Sequence, residues 1–181
     1  PVTTILTGNF DGLGHTVSNL TIKSPHAQIG LFKQVGSGTT GSLSNLTLKN
    51  ADIRGTNDSA DVGALVGYAD NPNGAIWGIR VGGNVAGQNS AEVGGIVGLD
   101  YGPISSSASS AAVTGKSEAY VGGIMGGGDN VNANLTDVTA SGNVIDNFYD
   151  AEVGGLAGYS YGSIDHSSAT GNVSAKGYVS Y

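Results

Sequence analysis

The sequence has 181 residues, including 32 glycines, 4 prolines and no cysteine, and its charged fraction is only 12%. The absence of cysteine excludes disulfides and thiolate metal sites, and the dispersed glycines predict almost no helix. No apolar run reaches the roughly 18 residues of a membrane span, and a net charge of −7 disfavours nucleic acid and anionic membranes as partners.

The chain begins with a lead-in or partial coil, residues 1–28, and then repeats one hexapeptide. The copies are "IGLFKQ" at Ile29, "VGALVG" at Val62, "VGGIVG" at Val93, "VGGIMG" at Val121 and "VGGLAG" at Val153. Their spacings of 33, 31, 28 and 32 residues are typical of solenoids and arrays. We therefore predict five repeats, which cover residues 29–61, 62–92, 93–120, 121–152 and 153–181.

Each repeat contains two further apolar anchors after the hexapeptide. A glycine–x–Ile/Leu step follows it, as in "GAI" (74–76), and another apolar residue comes nine positions later, as from Ile76 to Val85. Three short apolar segments between Gly, Ser, Asn and Asp residues predict three short strands per coil. Such short strands need a partner, so we expect parallel pairing with the next coil, about 4.8 Å away. The prediction is an all-β parallel β-helix of about five coils, cut from a longer protein.

The repeats resemble a known family. The segments "GNFDGLGHTVSNLTI" (8–22) and "IGLFKQVGSGTTGSLSNLTLKNADIRG" (29–55), followed by the hexapeptides from Val62 onward, are similar to the GLUG-type repeat of large secreted bacterial surface proteins. The resemblance implies a right-handed β-helix, export and a stalk or adhesive role, as in filamentous-haemagglutinin-like and autotransporter-like adhesins. It implies no catalytic residues. The sequence departs from the pattern at Lys33 and Gln34 and at "NANLTD" (132–137).

Two motifs suggest nucleophilic catalysis, and we reject both. The stretch "GYSYG" (158–162) fits G-x-S-x-G, but no helix follows Ser160, and Asp100 holds the same slot in an earlier copy. Asp165, His166 and Ser167 contain the letters of a catalytic triad. Adjacent strand residues point to opposite faces, so we expect no proton relay between them. We predict no catalytic residue.

Acidic residues precede several copies of the hexapeptide. Stacking would align Asp61, Glu92 and Glu152, which must then either splay into solvent or lie near a cation. Calcium is the candidate cation, and it prefers six to eight oxygen ligands. The alternative interpretation is that these acids lie in solvated loops and bind no cation. Apart from calcium, no cofactor is predicted. The candidate calcium ligands are Asp58, Asp61, Asp146, Asp150 and Glu152.

Tyrosines recur beside the hexapeptide. The candidate binding residues are those that follow it: Tyr68, Tyr101, Tyr159 and Tyr161. Tyr120 and Tyr178 instead precede a copy. Exposed in a row, such rings would stack on sugars or on a partner protein. The alternative is that they line a corner of the coil.

We interpret the chain as a non-enzymatic segment of an adhesin on the bacterial cell surface or outer membrane, or secreted. It would act as a stalk, as a repeated binding face for host or cell-surface glycans or proteins, or as both, without inserting into membranes. The alternatives are a carbohydrate-active β-helix enzyme and an accessory region of a secreted metallopeptidase. The enzyme would need two carboxylates about 5–10 Å apart, and no acidic pair recurs on one predicted strand face. Open strand edges also favour end-to-end or edge association.

Overall fold

The computed structural model describes residues 2–38 and 40–176. Within these ranges the chain forms 25 strands and no helix. The strands wind into a right-handed parallel β-solenoid of about six coils, which confirms the predicted fold class. None of the described residues belongs to an apolar helix of the length that a bilayer requires. Pro1, Thr39 and residues 177–181, which include Tyr178, lie outside the described residues.

The strands are numbered in chain order and grouped by coil. The first coil contains β1 (Val2–Leu6), β2 (Asn9–Ser18) and β3 (Thr21–Ser24). The second contains β4 (Gln28–Ile29), β5 (Phe32–Val35) and β6 (Ser42–Gly55). The third contains β7 (Asp61–Gly63), β8 (Val66–Ala69), β9 (Ala75–Trp77) and β10 (Arg80–Ala86).

The later coils contain five short strands each. In the fourth coil these are β11 (Glu92–Gly94), β12 (Val97–Asp100), β13 (Ile104–Ser105), β14 (Ala108–Ser109) and β15 (Ala112–Gly115). The fifth contains β16 (Tyr120–Gly122), β17 (Met125–Gly128), β18 (Leu135–Thr136), β19 (Thr139–Ala140) and β20 (Val144–Asp146). The sixth contains β21 (Glu152–Gly154), β22 (Ala157–Ser160), β23 (Ile164–Asp165), β24 (Ser168–Ala169) and β25 (Val173–Ala175).

Three parallel sheets form the three faces of the solenoid. The first face is β21-β16-β11-β7-β4, and the second is β1-β5-β8-β12-β17-β22. The remaining 14 strands form the third face. Corner residues such as Ser106, which has a φ of 46°, divide this face into short strands. The later coils have three strands on this face, whereas the sequence predicted two per coil. The lead-in contributes the additional coil, because β1 pairs with β5 while β2 and β3 pair with β6.

The three apolar anchors of each repeat stack in register along the solenoid. The first column is Ile29, Val62, Val93, Val121 and Val153. The second is Leu43, Ile76, Ile104, Leu135 and Ile164. The third is Ile53, Val85, Val113, Val144 and Val173. The side chains of the middle coils are buried, whereas Ile164 and Val173 are about half exposed, because no described coil covers them.

The hexapeptide forms the bend between the first and second faces. In "VGGIVG", residues Val93 and Gly94 end β11, and Val97 and Gly98 begin β12. A Cβ on Gly94 would lie 1.8 Å from the carbonyl oxygen of Val97, and one on Gly98 would lie 2.5 Å from the amide nitrogen of Val62. The two sheets therefore approach backbone to backbone, and only glycine fits at both positions. This close approach explains why the same six residues recur.

Buried side chains cap the turn after the second face. Asp100 is fully buried, and its Oδ1 accepts a hydrogen bond from the Gly102 amide at 3.3 Å. Ser160 occupies the same slot two coils later, and its Oγ accepts from the Gly162 amide at 3.1 Å. The predicted alignment of Ser160 with Asp100 is confirmed, and Ser160 stabilises a turn. Burial raises the pKa of Asp100 to about 8.

We expect Gly94→Ala to destabilise the solenoid by roughly 3 kcal/mol, because its Cβ would overlap backbone atoms, which no rotamer change can move aside. The control is Gly8→Ala, since a Cβ on Gly8 would have no neighbour within 4 Å. Urea unfolding followed by circular dichroism measures both variants. Equal midpoints for Gly94→Ala and the wild type would refute the close approach of the sheets.

We expect Asp100→Asn to stabilise the protein at pH 8.5 by at least about 1 kcal/mol and to change its stability little at pH 4. The folded-state pKa of about 8 exceeds the ordinary aspartate pKa of 3.8. The folded chain therefore keeps a proton that the unfolded chain releases, and stability falls as pH rises through this window. The raised pKa values of Asp61 and Asp146 act in the same direction. Urea midpoints at both pH values measure the effect. If Asp100→Asn lowers the urea midpoint equally at pH 4 and pH 8.5, the prediction is contradicted.

Candidate functional site

Tyrosine and acidic side chains are concentrated where the first and second faces meet. We call this region the tyrosine surface and define it by three columns. The column before the hexapeptide is Gln28, Asp61, Glu92, Tyr120 and Glu152. The column on the second face is Gln34, Tyr68, Leu99, Gly127 and Tyr159. The column that follows this face is Asp70, Tyr101, Asp129 and Tyr161.

The structure brings the four candidate tyrosines together as two pairs. The ring centroids of Tyr68 and Tyr101 lie 5.6 Å apart, and those of Tyr159 and Tyr161 lie 6.0 Å apart. Tyr120 joins the second pair, with its centroid 4.7 Å from that of Tyr159. All three contacts are edge-to-face, the geometry that aromatic quadrupoles favour. Tyr120 was not among the predicted binding residues, although its position one residue before a hexapeptide placed it in the column of acids.

The phenol groups of this surface interact with neighbouring carboxyl groups. Tyr101 donates a hydrogen bond from its hydroxyl to Oδ2 of Asp129 at 2.9 Å. Burial, together with nearby acids, raises the pKa values of Tyr68, Tyr101 and Tyr159. These side chains therefore stay neutral around pH 7 and can donate hydrogen bonds.

Two acids of the first column are direct neighbours. Asp61 lies opposite Glu92 on the neighbouring strand. Burial and the adjacent Glu92 raise the pKa of Asp61 to about 8. A proton on Asp61 reduces the like-charge repulsion between the two carboxyl groups. The predicted alignment of Asp61 with Glu92 by stacking is confirmed.

The candidate calcium ligands are separated along the solenoid. Asp58 and Asp61 lie three coils from Asp150 and Glu152. Oδ1 of Asp58 accepts a hydrogen bond from the Asn89 amide at 3.2 Å, at a stacked corner. In the described part of the chain, no group of three or more His, Asp or Glu side chains is placed to hold a metal.

The fifth candidate calcium ligand serves a turn. Asp146 is buried, and its Oδ1 accepts a hydrogen bond from the Phe148 amide at 2.8 Å. Burial raises the pKa of Asp146. Its carboxyl group therefore has the same structural role as that of Asp100.

The adjacent residues Asp165 and His166 are in contact. Nδ1 of His166 lies 3.0 Å from Oδ2 of Asp165. The expectation that they point to opposite faces is wrong, because His166 is a corner residue with a φ of 46°. Ser167 donates its hydroxyl to the carbonyl oxygen of Asp165 at 2.7 Å and accepts from the Val138 amide at 3.1 Å. The serine thus ties the corner to the neighbouring coil.

Two open depressions lie on different sides of the solenoid. A cleft of about 380 Å³ at one end of the tyrosine surface is lined by Tyr120, Asp129, Glu152, Tyr159, Ser160 and Tyr161. A groove of about 370 Å³ on the third face includes the basic residues Lys49 and Arg80. Charge is therefore unevenly distributed, with acids and aromatics on one side and this basic groove on another.

Comparison with known proteins identifies related sequences and a related fold. Residues 150–174 match the GLUG motif family. Halomucin of Haloquadratum walsbyi is 44% identical over 93 residues, which are 51% of this chain and 1% of Halomucin. A solved structure of a candidate immunoglobulin A1 protease from Bacteroides ovatus has a TM-score of 0.76 at 22% identity, and the match covers 91% of this chain and 51% of that chain. At this identity the similarity shows the fold alone. The chain therefore carries the GLUG motif at residues 150–174, on a parallel β-solenoid, as the repeats indicated.

Proposed function

We propose that the chain is a non-enzymatic β-solenoid segment of a secreted or cell-surface protein, which acts as a spacer and presents the tyrosine surface as a repeated binding face. The observation that carries the proposal is the in-register recurrence of tyrosine and acidic side chains along one side of the solenoid. The GLUG motif and the similarity to Halomucin support a surface or secreted location. Because that relative is not bacterial, the bacterial outer membrane is no part of the proposal.

The shape of the tyrosine surface suits recognition of sugars or proteins. A tyrosine ring offers an apolar face with a hydroxyl at its edge, and edge-to-face pairs hold the rings in fixed orientations. Repetition along a rigid solenoid adds multivalency, because several weak contacts to a polymeric ligand act together. The proposed ligand is therefore a glycan or an extended protein on a cell surface.

A second candidate function is a carbohydrate-active enzyme, and the Asp61–Glu92 pair favours it. The raised pKa of Asp61 is what a general acid requires, with Glu92 as the neighbouring carboxylate. An accessory role beside a metallopeptidase is a further alternative, supported by the fold shared with the Bacteroides ovatus protein. We rank both below the binding role, because burial beside another stacked acid raises the pKa of Asp61 without any catalytic function.

We expect the double variant Tyr68→Leu/Tyr159→Leu to lose about tenfold or more in apparent affinity for the glycans or surface proteins that the wild-type chain binds. Leu99 already occupies this column in the fourth coil, so leucine at the two tyrosine positions should leave the coils folded. The control is Trp77→Leu, which removes an exposed aromatic side chain from the third face.

Binding is measured on a printed glycan array and on immobilised extracellular-matrix proteins, and each purified chain is also incubated with acidic polysaccharides. Loss of binding in Trp77→Leu, with the double variant unaffected, would place the binding face elsewhere. Absence of binding on both supports would reject the binding role. Polysaccharide cleavage that Asp61→Asn abolishes would reverse the ranking in favour of an enzyme.

A further inference from the structure

A glycine interrupts a column of larger side chains next to the cleft at one end of the tyrosine surface. Gly127 lies between Leu99 and Tyr159 in the second-face column. A Cβ at this position would lie 2.5 Å from Cε1 of Tyr159, so the tyrosine ring lies across the glycine. The ring covers the gap in the column, and the cleft beside it remains open.

Aromatic rings form two walls of this cleft. The planes of Tyr120 and Tyr159 are inclined by 66°, and those of Tyr159 and Tyr161 by 74°. Tyr159 therefore contacts two rings whose planes are steeply inclined to its own. A compact group in the cleft would contact more than one aromatic ring, and ring faces attract cations through their quadrupole.

The charge of the cleft has one sign. Its lining contains the acids Asp129 and Glu152 and no lysine, arginine or histidine. The hydrogen bond from the Tyr101 hydroxyl holds Oδ2 of Asp129 at the rim. Two carboxyl groups are too few to replace the six to eight oxygens around calcium. Together with three rings, they suit a cation that carries apolar groups.

We propose that the cleft formed by Tyr120, Tyr159, Tyr161, Asp129 and Glu152 binds an alkylammonium group, such as that of choline or of a lysine side chain. The inference deepens the proposed function, because it names a ligand class for one part of the tyrosine surface. Neutral sugars would also contact the tyrosine rings and donate hydroxyl hydrogen bonds to the carboxylates, but only a cation gains from the negative charge of the rim as well. The methyl or methylene groups of an alkylammonium pack on the rings, while the positive charge faces the carboxylates.

The test is a titration of the purified 181-residue chain with choline, with Nα-acetyl-lysine amide and with 3,3-dimethylbutanol, the uncharged isostere of choline. Tyrosine ring resonances in NMR spectra report occupancy. We expect one or both cations to bind at least about fivefold more tightly than the isostere. The comparison of choline with the lysine derivative distinguishes a quaternary headgroup from a protein side chain.

Two variants locate the site, and a third serves as the control. Glu152→Gln removes one charge from the rim, and we expect it to weaken cation binding about threefold or more without affecting the isostere. Gly127→Ala removes no functional group but displaces the Tyr159 ring, so it should weaken binding with little change in the unfolding midpoint. The control Asp137→Asn neutralises an exposed acid at a corner of the third face, between β18 and β19, and it should bind as the wild type does.

If neither cation binds more tightly than the isostere, or if Glu152→Gln and Asp137→Asn weaken binding equally, the inference is overturned. Displacement of the probes by neutral monosaccharides would instead assign the cleft to sugar recognition. The proposed function is tested separately by the Tyr68→Leu/Tyr159→Leu variant on glycan and protein supports. If the wild type binds a glycan or protein support that the double variant does not bind, while neither cation binds the cleft, that combination of results rejects only the alkylammonium assignment.

Discussion

Backbone contact between the first and second faces is the constraint on which this solenoid depends. The two sheets pack so closely at each hexapeptide that a Cβ on Gly94 would lie 2.7 Å from the Cα of Met125 in the next coil. Such packing lets apolar side chains fill the remaining interior, where Val93, Ile96 and Val97 are completely buried. The packing occurs in one register, in which each hexapeptide lies against its counterpart in the neighbouring coil. A chain with 32 glycines can therefore form a rigid rod, although glycine lowers the stability of isolated strands.

The same register determines what the surface can present. Paired residues of adjacent coils lie directly opposite one another, so like side chains at one position meet each other. Along each column of the tyrosine surface the tyrosines are separated by other residues, and Tyr68 instead contacts Tyr101 of the neighbouring column. In the first column of acids, the pKa of Asp61 is raised by burial and by the neighbouring Glu92, and Tyr120 separates Glu92 from Glu152. The mixture of tyrosine and acid on one side thus follows from stacking as well as from any ligand.

Most of the fold could be predicted from the repeats, because the anchor at Val93 and its counterparts recur at nearly constant spacing. The division of the third face could not, since left-handed corners at Ser106, Asp137 and His166 occur at residues without a distinctive sequence signal. For the site, the tyrosines that follow the hexapeptide were predicted as candidates, but the contact of Tyr120 with Tyr159 depends on how closely two faces approach. The role of Gly127 could not be predicted for the same reason, because it depends on contact with the Tyr159 side chain, 32 residues away.

The central claim is that equivalent positions of successive hexapeptides lie directly against one another. Nuclear Overhauser effects between backbone protons of the three valines Val62, Val93 and Val121 measure this contact in solution. The account predicts cross-peaks that connect Val93 and its adjacent residues with the neighbourhoods of both other valines, in the pattern of parallel in-register strands. Cross-peaks displaced by one residue, or cross-peaks of an antiparallel pattern, would contradict it.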